Sequence, residues 1–170
     1  EYTIHADPDD WVEPEMLEEL YKKAKEDDAD MVICDFYVER RENTKYVKQE
    51  PSSLNHEVVL RELFQQLHGS CWNKLVRRAC YNKFNIRFPL NLNYCEDFLV
   101  CLSLLKYELI ISYKDRAYYH YDQIVNDESI TRKYTKNTYI QRKLFLLLLK
   151  DKIDVAYYRK EYAVQIALIA

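Results

Sequence analysis

Apolar residues recur along this chain at two periods, and the switching between them outlines a series of strands and helices. Tyr2, Ile4 and Ala6 alternate with polar neighbours and predict a strand over residues 2–6 that ends where a run of acids begins. Pro14 suits a first helical turn, and Met16, Leu17, Leu20 and Ala24 share one face of a helix reaching about Glu26. The stretch "DADMVICDFYV" is rich in β-preferring residues and predicts a second strand. Residues 39–53 are polar and irregular, a surface excursion or loose hairpin. Asn55 suits the N-cap of a helix running through His68, with Val58, Val59, Leu63, Phe64 and Leu67 turned inward.

The second half continues the pattern. A short strand is expected near Trp72–Val76, then a short helix and an extended exit at "IRFP". "EDFLVCLSLLKY" reads as a helix whose first turn carries Glu96 and Asp97, where the helix dipole favours acids. "LIISYKDRAYYHYDQ" gives one or two strands, with His120 on the face opposite Tyr119 and Tyr121. After a polar loop, helices over about 136–151 and 153–168 close the chain. A strand–helix–strand opening with helices among later strands predicts an α/β layered fold.

Composition narrows the function classes. The 170 residues suffice for one domain with a real core or one lobe of a larger protein. A net charge of −3 argues against a nucleic-acid binder working by broad phosphate neutralisation. The single glycine, Gly69, excludes a P-loop and a Gly-rich dinucleotide fingerprint. Five cysteines without CxxC spacing read as reduced, mostly buried thiols and a cytoplasmic setting. The apolar run "LFLLLL" falls far short of a spanning helix.

The chemistry concentrates in "HADPDDW". Asp7, Asp9 and Asp10 crowd three carboxylates into four positions at a strand tip, where open α/β sheets bind ligands. Hard oxygen ligands there suit Mg²⁺ or Mn²⁺ shared with a substrate diphosphate. Taken alone, the cluster reads more simply as a solvated turn whose acids cap the coming helix.

Three ordered stretches tip that balance. "HADPDDWVEPEMLEELYKKAKEDDADMVICDFY", "CWNKLVRRACYNKFNIRFPLNLNYCEDFLV" and "AYYHYDQIVNDESITR" together resemble family 2 glycosyltransferases of the GT-A fold, in particular bacterial members. The resemblance covers about residues 1–134 and implies a partial GT-A-like mixed sheet there, with residues 135–170 as a C-terminal helical segment. It implies that Asp7 and Asp9 face a divalent Mn²⁺ or Mg²⁺ ion and the donor diphosphate, Asp9 as the more direct ligand, while Asp10 holds the turn. It makes Asp97 the general base of an inverting transfer. It places Trp72, Asn73 and Glu96 at the acceptor, and lets Arg132, beside Lys133, close on the diphosphate. Lys74 is expected to pair with an acid or phosphate, or to lie at the surface; His5 is expected only to pack.

The implied partners are a UDP- or GDP-sugar donor and a saccharide or lipid-linked acceptor, in cell-surface polysaccharide synthesis. The family's nucleotide-binding strands would precede residue 1. Their lack implies a fragment, inactive by itself, that self-associates through the edge of its first strand. The final helices, with Lys150, Lys152, Arg159 and Lys160 beside Tyr157, Tyr158 and Tyr162, admit contact with a membrane surface. The competing reading is a non-catalytic α/β interaction domain whose acids are structural.

Overall fold

In the computed structural model, which describes residues 1–124 and 135–167, a six-stranded mixed sheet carries helices on both faces. The elements are β1 (Tyr2–Thr3), β2 (Trp11–Val12), α1 (Met16–Glu26), β3 (Met31–Glu39), β4 (Thr44–Val47), α2 (His56–Glu62), β5 (Lys74–Arg77), α3 (Arg78–Lys83), α4 (Glu96–Leu105), β6 (Ile111–Asp122), α5 (Lys136–Lys152) and α6 (Arg159–Ala167). The strand order is β1-β5-β3-β6-β2, with β4 also paired to β3.

Strand β3 explains the layering. It is parallel to β6 and antiparallel to β5 and β4, so it sits in the middle of the sheet and is buried on both faces. Its side chains alternate. Met31 and Ile33 enter a core built with α2, α4 and α5, whereas Val32 and Cys34 enter a second core with Met16, Leu20 and Ala24 of α1. Leu20 is fully buried, a burial that contributes about 2 kcal/mol. Phe145 and Leu149 of α5 lie in the first core, so the last long helix shares the packing of α4.

The α/β class and most elements follow the sequence pattern, with informative shifts. The first strand pairs only at Tyr2–Thr3, antiparallel to β5, and the chain to Asp7 makes no further ladder. Because β5 lies between them, β1 and β3 are parallel without touching. Leu17, expected inward, is 59% exposed. Asn55 caps α2 by accepting from the N–H groups of Glu57 and Val58, but the helix ends at Glu62 and continues as turns to Leu67. The polar excursion folds into the β3–β4 hairpin, pinned by buried Asp35, which accepts from the hydroxyls of Tyr46 and Tyr113 and from the Gln49 N–H. Strand β2 has no counterpart in the sequence reading.

The closing helices are locked on the same body. Arg61 of α2 pairs with Glu161 at 2.9 Å and lies over the rings of Tyr157 and Tyr158. Lys152, one of the four cations considered for a membrane, donates instead to Ser103 of α4. Among the described residues, no helix is long and apolar enough to cross a membrane.

Candidate functional site

The acid run does not cap α1. That helix starts after Glu15, which makes no side-chain cap hydrogen bond. Residues 7–10 instead form a turn closed by the Asp10 N–H on the Asp7 carbonyl at 3.2 Å, with Pro8 at the position where its fixed φ fits. Asp10 anchors this turn to β6, accepting from the Asp122 N–H at 2.8 Å and from the Tyr119 hydroxyl at 2.7 Å. Its expected part as turn holder therefore has a concrete geometry. Asp7 is half-buried beside His5, whose Nε2 lies 3.2 Å from Asp7 Oδ1. Asp9 is exposed at the tip.

Glu96 and Asp97 arrive from the other side of the sheet edge. Cys95 precedes them in the left-handed region, at φ 55°. A non-glycine residue there costs on the order of 1 kcal/mol, and the observation marks a sharply redirected chain. The redirection brings Asp97 to the 70–73 loop, where the Cys71 N–H donates to Asp97 Oδ2 at 2.7 Å. The described residues place no donor on its other oxygen. Gly69 makes this approach feasible: a Cβ there would stand 2.7 Å from Phe98 Cδ2. The chain's single glycine serves a close contact between loop and helix.

The two acid groups sense each other's charge. Burial raises the Asp7 carboxyl above its usual range, and Asp97 and Asp9 push the same way, with His5 opposing. Burial likewise raises Glu96, and Asp97 and Asp7 add to it. Repulsion of this kind places the strand tip and the start of α4 within electrostatic reach of one another. A hollow of about 230 Å³ is lined by a hydrogen-bonded or ion-paired neighbour of each, His5 for Asp7 and Cys71 for Asp97, with Thr3, Ile4, Arg78, Tyr81 and Phe88 around it; the carboxylates themselves do not line it.

Other expected site residues lie elsewhere. Trp72 is 3% exposed and packs in the α1-side core, stacked on Tyr119 at 4.4 Å and edge-on to Phe36. Asn73 is fully buried, donating to the Cys34 carbonyl and accepting from Ser70 and Lys74. Burial and internal partners account for both, without a face left for a sugar. Lys74 corrects its expectation: it is neither on the surface nor paired with an acid. Its buried ammonium donates to the His68 and Ser70 carbonyls and to Asn73 Oδ1, at 2.7, 2.9 and 2.7 Å, and so braces the loop that holds Asp97. Arg132 and Lys133 lie outside the described residues.

Residues that the sequence reading left without a part in the site matter here. His5 does more than pack, since it pairs with Asp7. Tyr119 carries two hydrogen bonds to the acid turn. His120, on the opposite face as alternation required, is wedged between Trp11 and Tyr37 and bridges Glu13 and Glu39.

A divalent cation needs only one or two protein carboxylates when waters and a substrate diphosphate complete its shell. Among the described residues, no group of three or more His, Cys, Asp or Glu side chains could hold a metal. The pair Asp7 and Asp9 at the turn fits the smaller, shared kind of site.

Comparison with known proteins agrees with this architecture. Residues 1–84 match the family model "Glycosyl transferase family 2". Over 146 residues the chain is 29% identical to EpsH of Bacillus subtilis, a glycosyltransferase by name, covering 82% of this chain and 42% of EpsH. It is 35% identical over 101 residues to the cholesterol galactosyltransferase of Borreliella burgdorferi, covering 51% of this chain and 28% of that one. The structure of S. aureus TarS 1-349 in complex with UDP-GlcNAc superposes with a TM-score of 0.66 at 21% identity, over 98% of this chain and 48% of TarS 1-349. The chain thus spans less than half the length of these relatives, and its sheet and flanking helices have the partial GT-A-like form. Residues 1–84, just under half of the chain, thus resemble glycosyl transferase family 2.

Proposed function

We propose that this chain carries the leaving-group and acceptor side of a sugar-nucleotide-dependent, inverting glycosyltransferase. The observation that supports the proposal is that Asp97 acts electrostatically on Asp7 while a bonded neighbour of each, Cys71 and His5, lines one hollow. Relatives named as glycosyltransferases, and a fold neighbour solved with UDP-GlcNAc, support a nucleotide-sugar donor.

Asp7 and Asp9 would hold a divalent cation, which when bound supplies positive charge to the diphosphate leaving group. Asp97 is the general base. One of its oxygens is held by the Cys71 N–H, which orients the carboxylate and leaves the other to accept the proton of the acceptor hydroxyl. A single base facing a leaving group across the sugar gives one in-line displacement, with inversion at the anomeric carbon. The raised carboxyl of Asp7 reflects burial among like charges, an environment that a cation relieves.

Calorimetric titration of the full-length protein with UDP- and GDP-sugars, with and without Mn²⁺, tests this reading. Metal-dependent binding that is lost in Asp9→Asn, with turnover lost in Asp97→Asn, is the expected result. Equal binding without metal, or full turnover in Asp97→Asn, would overturn it.

A further inference from the structure

The support beneath the acid turn is a single tyrosine. Tyr119 is fully buried, yet its hydroxyl reaches the turn at both ends: it accepts from the Asp7 N–H at 3.0 Å and donates to Asp10 Oδ2 at 2.7 Å. Its ring lies on the Trp72 indole, with 4.4 Å between centroids and 10° between planes. Trp72 in turn follows Cys71, whose N–H holds Asp97. A continuous path of two rings and three hydrogen bonds therefore joins the carboxylates at the strand tip to the carboxylate at the start of α4.

We propose that Tyr119 is a positioning residue for this site, its hydroxyl setting the conformation of the Asp7–Asp10 turn and its stack on Trp72 fixing that turn relative to Asp97. The function given to the turn rests on the glycosyl-transfer reading; the geometric part does not. Residue type matters at each point. Phenylalanine keeps the ring and the stack but removes the one group that satisfies both the Asp7 amide and half of the Asp10 carboxylate. Asp10 would then keep only the Asp122 N–H, and the Asp7 amide would lose its partner. Burial, with Asp10 close by, raises the Tyr119 phenol further above its usual range, so the hydroxyl stays protonated and able to donate throughout the neutral range.

The test pairs two readouts on the full-length protein. In Tyr119→Phe, hydrogen exchange at the Asp7 amide should accelerate about tenfold or more while the core amides of β3 keep their protection. Mn²⁺-dependent donor binding should weaken by a similar factor. Asp10→Ala removes the acceptor of the Tyr119 hydroxyl and carries the same test if Tyr119→Phe does not fold. The double variant should fall short of the sum of the two single ones, because the Tyr119–Asp10 hydrogen bond is common to both. Unchanged Asp7 exchange in a folded Tyr119→Phe protein overturns the inference. Faster exchange with donor binding and turnover intact overturns it as well. Faster exchange in a protein whose wild type shows no metal-dependent donor binding supports the positioning role and removes the glycosyl-transfer reading instead.

Discussion

The two acid-bearing ends of the site are held in opposite ways. The Asp7–Asp10 turn is fastened by side chains and backbone of β6, more than a hundred residues away in sequence: Tyr119 and Asp122 reach it through hydrogen bonds. Asp97 is fastened by backbone, through the Cys71 N–H of a loop that is braced from below by the buried ammonium of Lys74. Under the proposed function each arrangement has a use: locking Asp10 fixes the turn that carries Asp7 and Asp9, and holding one oxygen of Asp97 orients its carboxylate. The difference teaches that the site's precision comes largely from buried polar residues that never face the hollow.

The largest effect is expected where the chemistry is removed and the geometry kept. Asp97→Asn still accepts the Cys71 N–H but cannot take a proton, so turnover should fall about a thousandfold, within the range for a lost general base, in a steady-state transfer assay. Next comes the brace. Lys74→Met leaves the His68 carbonyl without its donor and takes the ammonium from the Ser70 carbonyl and Asn73 Oδ1, which keep only the Cys101 thiol and the Ser70 hydroxyl, and should cost about 2–4 kcal/mol by denaturant unfolding. It should disturb the Cys71 and Asp97 side while the Asp7 amide keeps its protection, which would sharpen the contrast between the two ends. Gly69→Ala forces a Cβ against Phe98 and should destabilise by about 1–3 kcal/mol, read the same way.

The smallest effect concerns pH. The folded-state carboxyl of Asp7 lies above its unfolded value, so the native state holds the proton more tightly. Stability from this group is then lost as pH rises from about 4 through the raised value, and regained on protonation. Asp7→Asn should consequently equal wild type in stability below about pH 4 and exceed it slightly near neutrality, as followed by thermal unfolding across pH.

How far the sequence alone reaches differs between the same two ends. Period and composition were enough for α1, β3 and α4, because each buries an apolar face that its residue order announces. The order of motifs was enough to bring forward Asp7, Asp9 and Asp97. Strand β2 escaped because two residues, Trp11 and Val12, have no periodicity to read, and they pair with β6 only in the assembled sheet. Trp72 and Asn73 offered sugar-binding chemistry on paper, yet an indole stacks as readily on a buried tyrosine as on a sugar. Lys74 was unreadable for a sharper reason. A lysine is almost never fully buried, and its three oxygen partners are created by the fold of the 68–73 loop itself. Tyr119 shows the converse: alternation placed it on the correct face, but nothing local told that its hydroxyl would meet an acid turn 112 residues earlier.

Convergence of the two ends is open to direct measurement by carboxyl-detected NMR titration of Asp7, in the wild-type protein and in Asp97→Asn. If the two acids lie within electrostatic reach of one another, removing the Asp97 charge lowers the Asp7 carboxyl toward the ordinary range while its burial keeps it from falling all the way. An Asp7 titration that is identical in the two proteins would show that the carboxylates do not sense each other, and would contradict a shared site.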